Sequence, residues 1–171
     1  LKWTWCWFSG RHYLANFQPL MTLEQRLVAV MAKSHPLAGR SKLRLRDIAA
    51  YPVALPERSI GGRQLLDEVA ARTGLVFKIA AESNSFEMLR GLVSHAGLIS
   101  FQIRIGTMPK GNKLGLVALE IDDRDVLNAN LVFGSLRDRN LPVATAVFGQ
   151  DIIGRLKSMA GTGSANANRK Q

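Results

Sequence analysis

Between about residues 25 and 106 the hydrophobic and polar positions form an ordered series: strand, loop, strand, helix, strand, helix, strand. Leu27-Val28-Ala29-Val30-Met31-Ala32 is a continuous apolar run of strand length, the pattern of a buried strand. The turn residues Ser34-His35-Pro36-Leu37-Ala38-Gly39 end it. Residues 43–50 read as a short helical turn, and Tyr51-Pro52-Val53-Ala54-Leu55 as the next strand, with Pro52 at its first position. A helix is predicted over about residues 62–73. Leu65, Leu66, Val69 and Ala70 form one face, while Asp67, Glu68 and Arg72 point away. Gly74 stands where a helix-ending glycine belongs. Residues 75–81 read as a strand. The second helix starts at Asn84 or Ser85, and Glu87, three after Asn84, suggests a capping arrangement. Its face is Phe86, Leu89, Leu92 and Val93. Gly97 ends it, and residues 98–101 are the next strand.

Beyond this series the pattern changes. Residues 106–115 form a loop rich in Gly, Pro and Lys. Residues 116–121 and 130–136 read as two further strands, with the acidic turn Asp122-Asp123-Arg124-Asp125 between them. Pro142 opens a final helix near its first position, and Val143, Ala146, Val147, Ile153 and Leu156 keep helical spacing. Residues 160–171 are small and polar, as in a disordered tail. At the other end, Trp3, Trp5 and Trp7 alternate with Thr4 and Cys6, which permits a strand.

Both helices of the central series begin with small polar residues. Ser59-Ile60-Gly61-Gly62 precedes the first and Ser83-Asn84-Ser85 the second. In a parallel β–α–β array these two starts lie on one edge of the sheet, at the carboxyl ends of the strands, where open α/β sheets bind ligands. Free backbone N–H groups and the helix dipole favour an anion there. Each serine alone reads first as a helix cap. Two starts on one edge, with Gly61 and Gly62 allowing close backbone approach, shift the reading toward a small-molecule site.

A length of 171 residues suits one domain or two small lobes, and 47% hydrophobic residues argues against disorder. The net charge of +10 raises the prospect of a polyanionic partner. The charge is spread, however. Its densest cluster, Lys33, Arg40, Lys42, Arg44 and Arg46, lacks interleaved aromatics and reads as a solvated connection. The single cysteine, Cys6, permits neither an intrachain disulfide nor a cysteine zinc site, and fits a reducing cytoplasm. No apolar run approaches the ~18 residues of a membrane span. The apolar start is too short for a signal core with its cleavage site, and it lacks an initiator Met, as a fragment would.

Other chemistry is excluded by spacing. His12, His35 and His95 do not form a metal-ligand set. The run Gly106 to Lys113 lacks the Gly-Lys-[Ser/Thr] of a phosphate loop. Asp122, Asp123 and Asp125 lack the glycine and terminal glutamate of a calcium loop. No serine sits in Gly-x-Ser-x-Gly, and the sequence supports no nucleophile–base pair. No catalytic residue, metal or cofactor is expected.

The strand Leu27-Val28-Ala29-Val30-Met31 followed by His35-Pro36-Leu37-Ala38 resembles a strand and turn of LysR-type transcriptional regulators. The remaining pattern follows in order: Arg46-Asp47-Ile48 before Tyr51-Pro52-Val53, then Thr73-Gly74, Glu82-Ser83-Asn84, Leu92-Val93 and Gly97-Leu98-Ile99. Val117-Ala118-Leu119 and Leu131-Val132-Phe133 match the returning strands. The resemblance covers about residues 25–159. It implies an α/β, periplasmic-binding-protein-like fold of two lobes with mostly parallel sheets, and a small effector in the cleft. Residues 25–106 would be the second lobe, and 107–159 the return into an incomplete first lobe with its C-terminal helix. Residues 1–24 match poorly. The expected effector-binding residues are Ser59, Ile60, Gly61, Gly62, Ser83, Ser85 and Phe101. The resemblance further implies a cytoplasmic homo-oligomeric parent that binds DNA through a winged helix-turn-helix absent from this chain. A free-standing solute-binding protein of the same fold is the alternative. A basic nucleic-acid-binding protein is a third reading, against which the diffuse charge and missing recognition motif both count.

Overall fold

The structure, a computed structural model, describes residues 3–8, 17–107, 113–125, 129–136 and 142–165. In chain order the elements are β1 (Trp3–Phe8), β2 (Phe17–Gln25), β3 (Leu27–Ala32), β4 (Lys42–Leu43), α1 (Leu45–Ala49), β5 (Pro52–Pro56), α2 (Gly61–Thr73), β6 (Lys78–Ser83), α3 (Phe86–Ala96), β7 (Ser100–Ile103), β8 (Leu116–Ile121), β9 (Ala129–Leu136) and α4 (Val143–Ala165). They form two units. One is Gln25–Ala129, the other Leu1–Glu24 with Asn130–Gln171.

In the larger unit a four-stranded sheet has the order β4-β8-β3-β7, and β5 pairs with β6. Central β3 is buried from Leu27 to Met31 because both its faces are covered. On one face Val30 packs with Val93 of α3 and Leu116 of β8. On the other, Gly62 of α2 faces Leu27 and Ile103, where an added Cβ would make ordinary van der Waals contact at 3.6 and 3.7 Å. Two-sided burial explains an unbroken apolar run where an alternating one would expose a face.

The β5–α2–β6–α3–β7 segment is parallel, as expected. Its pairings are Pro52 beside Lys78 through Pro56 beside Ser83, and Val53 with Ile99. β4 and β8 are also parallel. β3, by contrast, runs antiparallel to both β7 and β8. The four-stranded sheet is therefore mixed, while strands joined through α2 and α3 lie parallel, because a helix returns the chain to the starting edge. β3 follows β2 with no such crossover.

Several boundaries differ from the sequence reading. The strand expected at 75–81 is β6, displaced to Lys78–Ser83. Leu75 N–H instead closes the end of α2 on Ala70 C=O at 3.0 Å, and Phe77 packs edge-on against Phe101. β7 begins at Ser100 instead of 98, because Ile99 is tied to β5 by two backbone bonds, to Pro52 O and from Ala54 N. Gly74 and Gly97 end α2 and α3 in the left-handed conformation, as predicted. The cap of α3 is Ser85, whose Oγ accepts from Met88 N, so the Asn84–Glu87 pairing does not form the cap. Pro142 stands just before α4, its carbonyl accepting from Thr145 and Ala146. α4 itself continues to Ala165, into the stretch expected to lack order. Residues 108–112 of the expected Gly/Pro/Lys loop lie outside the described residues.

The division into lobes also changes. β8 was expected in the return to the first lobe, yet it pairs with β3 and β4 and belongs to the larger unit. Residues 1–24, expected as a poorly matched segment, supply two strands of the smaller unit, whose sheet order is β1-β9-β2. β1 runs antiparallel to β9, from Trp3 beside Ser135 to Phe8 beside Asn130. At Gly134 the β2 backbone comes so near that an added Cβ would lie 2.2 Å from Gln18 O.

Candidate functional site

The parallel register sets Pro56 directly beside Ser83. The connections leaving β5 and β6 are therefore neighbours, and Glu57 N–H binds Ser83 C=O at 3.1 Å to join them. From these connections α2 and α3 start side by side. At α2, Ile60 C=O accepts from Arg63 N–H at 2.8 Å and Gln64 N–H at 3.4 Å. Gly61 and Gly62 N–H thus precede the first intrahelical bond, with no acceptor among the described residues. At α3, Ser85 Oγ takes Met88 N–H and Ser85 C=O takes Leu89 N–H. Phe86 and Glu87 N–H are likewise left without an acceptor among the described residues. Each start offers two consecutive amides with the positive end of its helix dipole behind them.

The expected site residues divide by role. Ser59 is exposed in the turn before α2 and does not cap it; the capping position is Ile60, which has no side-chain cap bond. The physical reason is the tight turn that binds Ile60 N–H to Glu57 O at 3.0 Å, which sets Ser59 one position too early. Gly61 and Gly62 bring backbone amides to the edge. Ser83 is buried, and its Oγ accepts from Ser85 N–H at 3.0 Å. Ser85 is the exposed N-cap of α3. Ser83 and Ser85 are thus engaged in building the helix start. Phe101 is 2% exposed with its ring edge-on to Phe77, 5.6 Å between centroids. Its side chain is taken up by the core.

Arg63 has a structural part that the sequence pattern does not specify. In the first turn of α2 it suggests a ligand-facing or solvent-facing cation, yet its side chain is only 1% exposed. It binds Asp67 Oδ1 at 2.8 Å, Pro56 O at 3.0 Å and Glu82 Oε1 at 2.5 Å. It therefore clamps α2 to the ends of β5 and β6, directly behind the two helix starts. Burial disfavours its charged form, but the hydrogen bonds to Asp67 and Glu82 outweigh burial and raise its pKa. The available signal was Asp67 four residues on.

His35 and the acidic turn are structural. His35 is buried, accepts from Leu37 N–H through Nδ1 at 3.2 Å and meets Tyr51 edge-on. Burial lowers its pKa. The acidic turn is paired with cations: Arg26 and Lys42 on Asp123, Arg124 on Asp122, Arg44 on Asp125. These pairs, with Arg40 on Asp47, occupy three of the five cations in the basic cluster. Among the described residues no group of His, Cys, Asp and Glu could hold a metal ion. Among them, too, no helix is long and apolar enough to cross a membrane.

The chain belongs to the LysR substrate binding domain family, whose model matches residues 11–156. It is similar to the HTH-type transcriptional regulator SsuR of Burkholderia cenocepacia, 29% identical over 91 residues, which make up 53% of this chain and 29% of that protein. Among solved structures, the CcmR regulatory domain of Synechocystis PCC6803 in complex with 2-PG matches with a TM-score of 0.71 and 21% identity. That match covers 91% of this chain and 73% of the other. The effector binding domain of QuiR in complex with shikimate matches with a TM-score of 0.59 and 28% identity, covering 81% and 66%. The fold is thus the periplasmic-binding-protein-like α/β fold of this family. The chain spans under a third of the curated relative it matches.

Proposed function

We propose that this chain is the effector-sensing domain of a LysR-type transcriptional regulator, and that it binds a small anionic metabolite at the adjoining starts of α2 and α3. The observation that carries the reading is the pair of adjacent helix starts, each presenting two free amides: Gly61 and Gly62, Phe86 and Glu87. Backbone donors at a helix N-terminus suit a carboxylate or phosphate. The complexes of the CcmR domain with 2-PG and of the QuiR domain with shikimate support an acidic effector. In this reading the protein is a cytoplasmic regulator and not an enzyme. Its parent is a homo-oligomer that contacts DNA through a winged helix-turn-helix outside this chain, and effector binding alters that contact. Family membership and the similarity to SsuR favour this over a free-standing solute-binding protein.

The test is calorimetric titration of the chain with a panel of small carboxylates and phosphates, including shikimate and 2-PG, alongside neutral analogues of matched size. Saturable binding of an acidic member, with amide resonance shifts at Gly61, Gly62, Phe86 and Glu87, is expected. Binding that leaves those four amides unmoved places the effector elsewhere.

A further inference from the structure

Among the described residues of the larger unit, three polar side-chain atoms are buried without a hydrogen-bond partner: Arg90 Nε, Ser100 Oγ and Gln102 Nε2. Ser100 and Gln102 lie on one face of the sheet, the face that α3 covers. The β3–β7 register pairs Val30 with Ser100 and Val28 with Gln102, so these four side chains share a face. α3 covers that face, with Val93 packed on Val30 and Leu116. As the crossover between parallel strands, α3 runs against β7 and therefore along β3. Arg90 lies about one helical turn before Val93, roughly 5 Å along the axis. Val28 lies one same-face step before Val30, roughly 7 Å. Arg90 therefore stands at the level of Val28 and its partner Gln102. Its second contact agrees: Arg90 Nη2 binds the carbonyl of Gly106, just beyond the end of β7.

Packing gives no reason for a polar side chain at Gln102. Val28 and Val30 are both buried, and Gln102 among them is 4% exposed. A buried amide donor without a partner opposes folding. Such a departure from an apolar strand pattern is expected where function requires it. Arg90 uses Nη1 on exposed Glu87 and Nη2 on Gly106 O, which fixes the plane of its guanidinium and leaves Nε–H with no acceptor among the described residues. Its side chain is 17% exposed and stands in the turn after the free amides of Phe86 and Glu87.

We infer that Arg90 and Gln102 form an anion-recognition pair beneath the start of α3, in which Arg90 Nε–H and the Gln102 amide donate to a carboxylate or phosphate oxygen of the effector. Two donors on one face, one of them cationic, are complemented by a charged acceptor more strongly than by a neutral one. The inference rests on the reading of this unit as an effector-binding domain, and it assigns the acidic end of the effector to side chains beyond the backbone amides.

The experiment uses the full 171-residue chain, labelled with nitrogen-15. It is titrated with sodium acetate and, separately, with inorganic phosphate, against sodium chloride at matched ionic strength. The readouts are the Arg90 Nε–H and Gln102 side-chain amide resonances. A saturable downfield shift of both with acetate or phosphate, and none with chloride, is expected; the more effective anion identifies the acidic group. Gln102→Leu and Arg90→Lys should each weaken the response at least threefold. Gln102→Glu keeps the shape while opposing the anion, and should abolish the response even if the leucine variant folds poorly. Absence of a saturable response at these two side chains overturns the inference. So does an anion response at the Gly61, Gly62, Phe86 and Glu87 amides that Gln102→Glu and Arg90→Lys leave unchanged. That last result would leave the helix-start reading standing and remove only the side-chain pair.

Discussion

Arg63 and Glu82 form an ion pair, Nη1 to Oε1 at 2.5 Å, that ties the first turn of α2 to the penultimate residue of β6. The same Nη1 also holds Pro56 O at the end of β5. One buried guanidinium thus fastens three elements at the edge where both helices start. Its carboxylate partners, Asp67 and Glu82, are each 43% exposed, so water can compensate them when the arginine is lost. Arg63→Met should therefore cost about 2 kcal/mol, less than a fully buried pair and more than a surface one. Arg63→Lys should recover under half of that, because an ammonium cannot reproduce the planar fork. Urea unfolding midpoints of the two variants check this, and equal stability of wild type and Arg63→Met would refute the clamp.

At Gly134 the smaller unit has no room for a side chain. An added Cβ would lie 2.2 Å from Gln18 O and 2.7 Å from the Phe17 ring. The first neighbour is backbone, which cannot rotate aside. Gly134→Ala should cost about 3 kcal/mol, the upper range of overpacking. Hydrogen exchange should accelerate at Val132 and Phe133 while β3 amides in the larger unit keep their protection. Unchanged exchange in β9 would mean that the strand can shift without loss.

Asp125 gives the larger unit an acid dependence. It accepts two bonds from Arg44, at 2.7 and 2.8 Å, and one from Leu45 N–H at 2.8 Å, the first amide of α1. The Arg44 hydrogen bond holds its pKa below the ordinary carboxylate value, against burial and with help from Leu45 N–H. Below that ordinary value, about 3.9, the unfolded chain takes up a proton before the folded one. The stability contributed by ionised Asp125 is therefore complete above about pH 4 and lost as pH falls through the depressed folded pKa. Asp125→Asn should lower stability at pH 7 and show a shallower fall between pH 5 and pH 3. Parallel pH profiles for wild type and variant would count against this role.

Much of this architecture was legible from local pattern. α2 and α3 announce themselves by apolar faces at helical spacing and by Gly74 and Gly97, which the structure places in left-handed caps. β8 is visible as a strand, but its membership of the larger unit depends on pairing with β3, which no local spacing specifies. The adjacency of the two helix starts follows from the β–α–β order. Which residues are free there does not, since Ser59 and Ser85 look alike until the turn at Ile60 and the bond to Met88 N–H separate them. Phe101 illustrates the converse. Strand position alone cannot tell a residue at a sheet edge from one packed on Phe77.

The two serines supply a paired test of the site. Ser85 caps α3 through its bond from Met88 N–H at 3.3 Å, whereas Ser59 makes no cap bond at α2. Ser85→Ala should cost about 1 kcal/mol of stability, the usual effect of losing an N-cap. Ser59→Ala, at an exposed turn position, should fall within about 0.5 kcal/mol of wild type. Effector binding should separate them differently. A serine hydroxyl can donate to an anion while its oxygen accepts from the helix. Both hydroxyls stand beside free amides, so each alanine variant should weaken binding by about 1 kcal/mol, close to one hydrogen bond. The contrast between the two measurements is what isolates the site: Ser59→Ala should lose affinity without losing stability, and Ser85→Ala should lose both. Thermal unfolding and calorimetry on the same two variants decide it. If an anion that binds the wild-type chain binds Ser59→Ala equally well, the Ser59 hydroxyl is not part of the effector site, and α2 contributes at most its Gly61 and Gly62 amides.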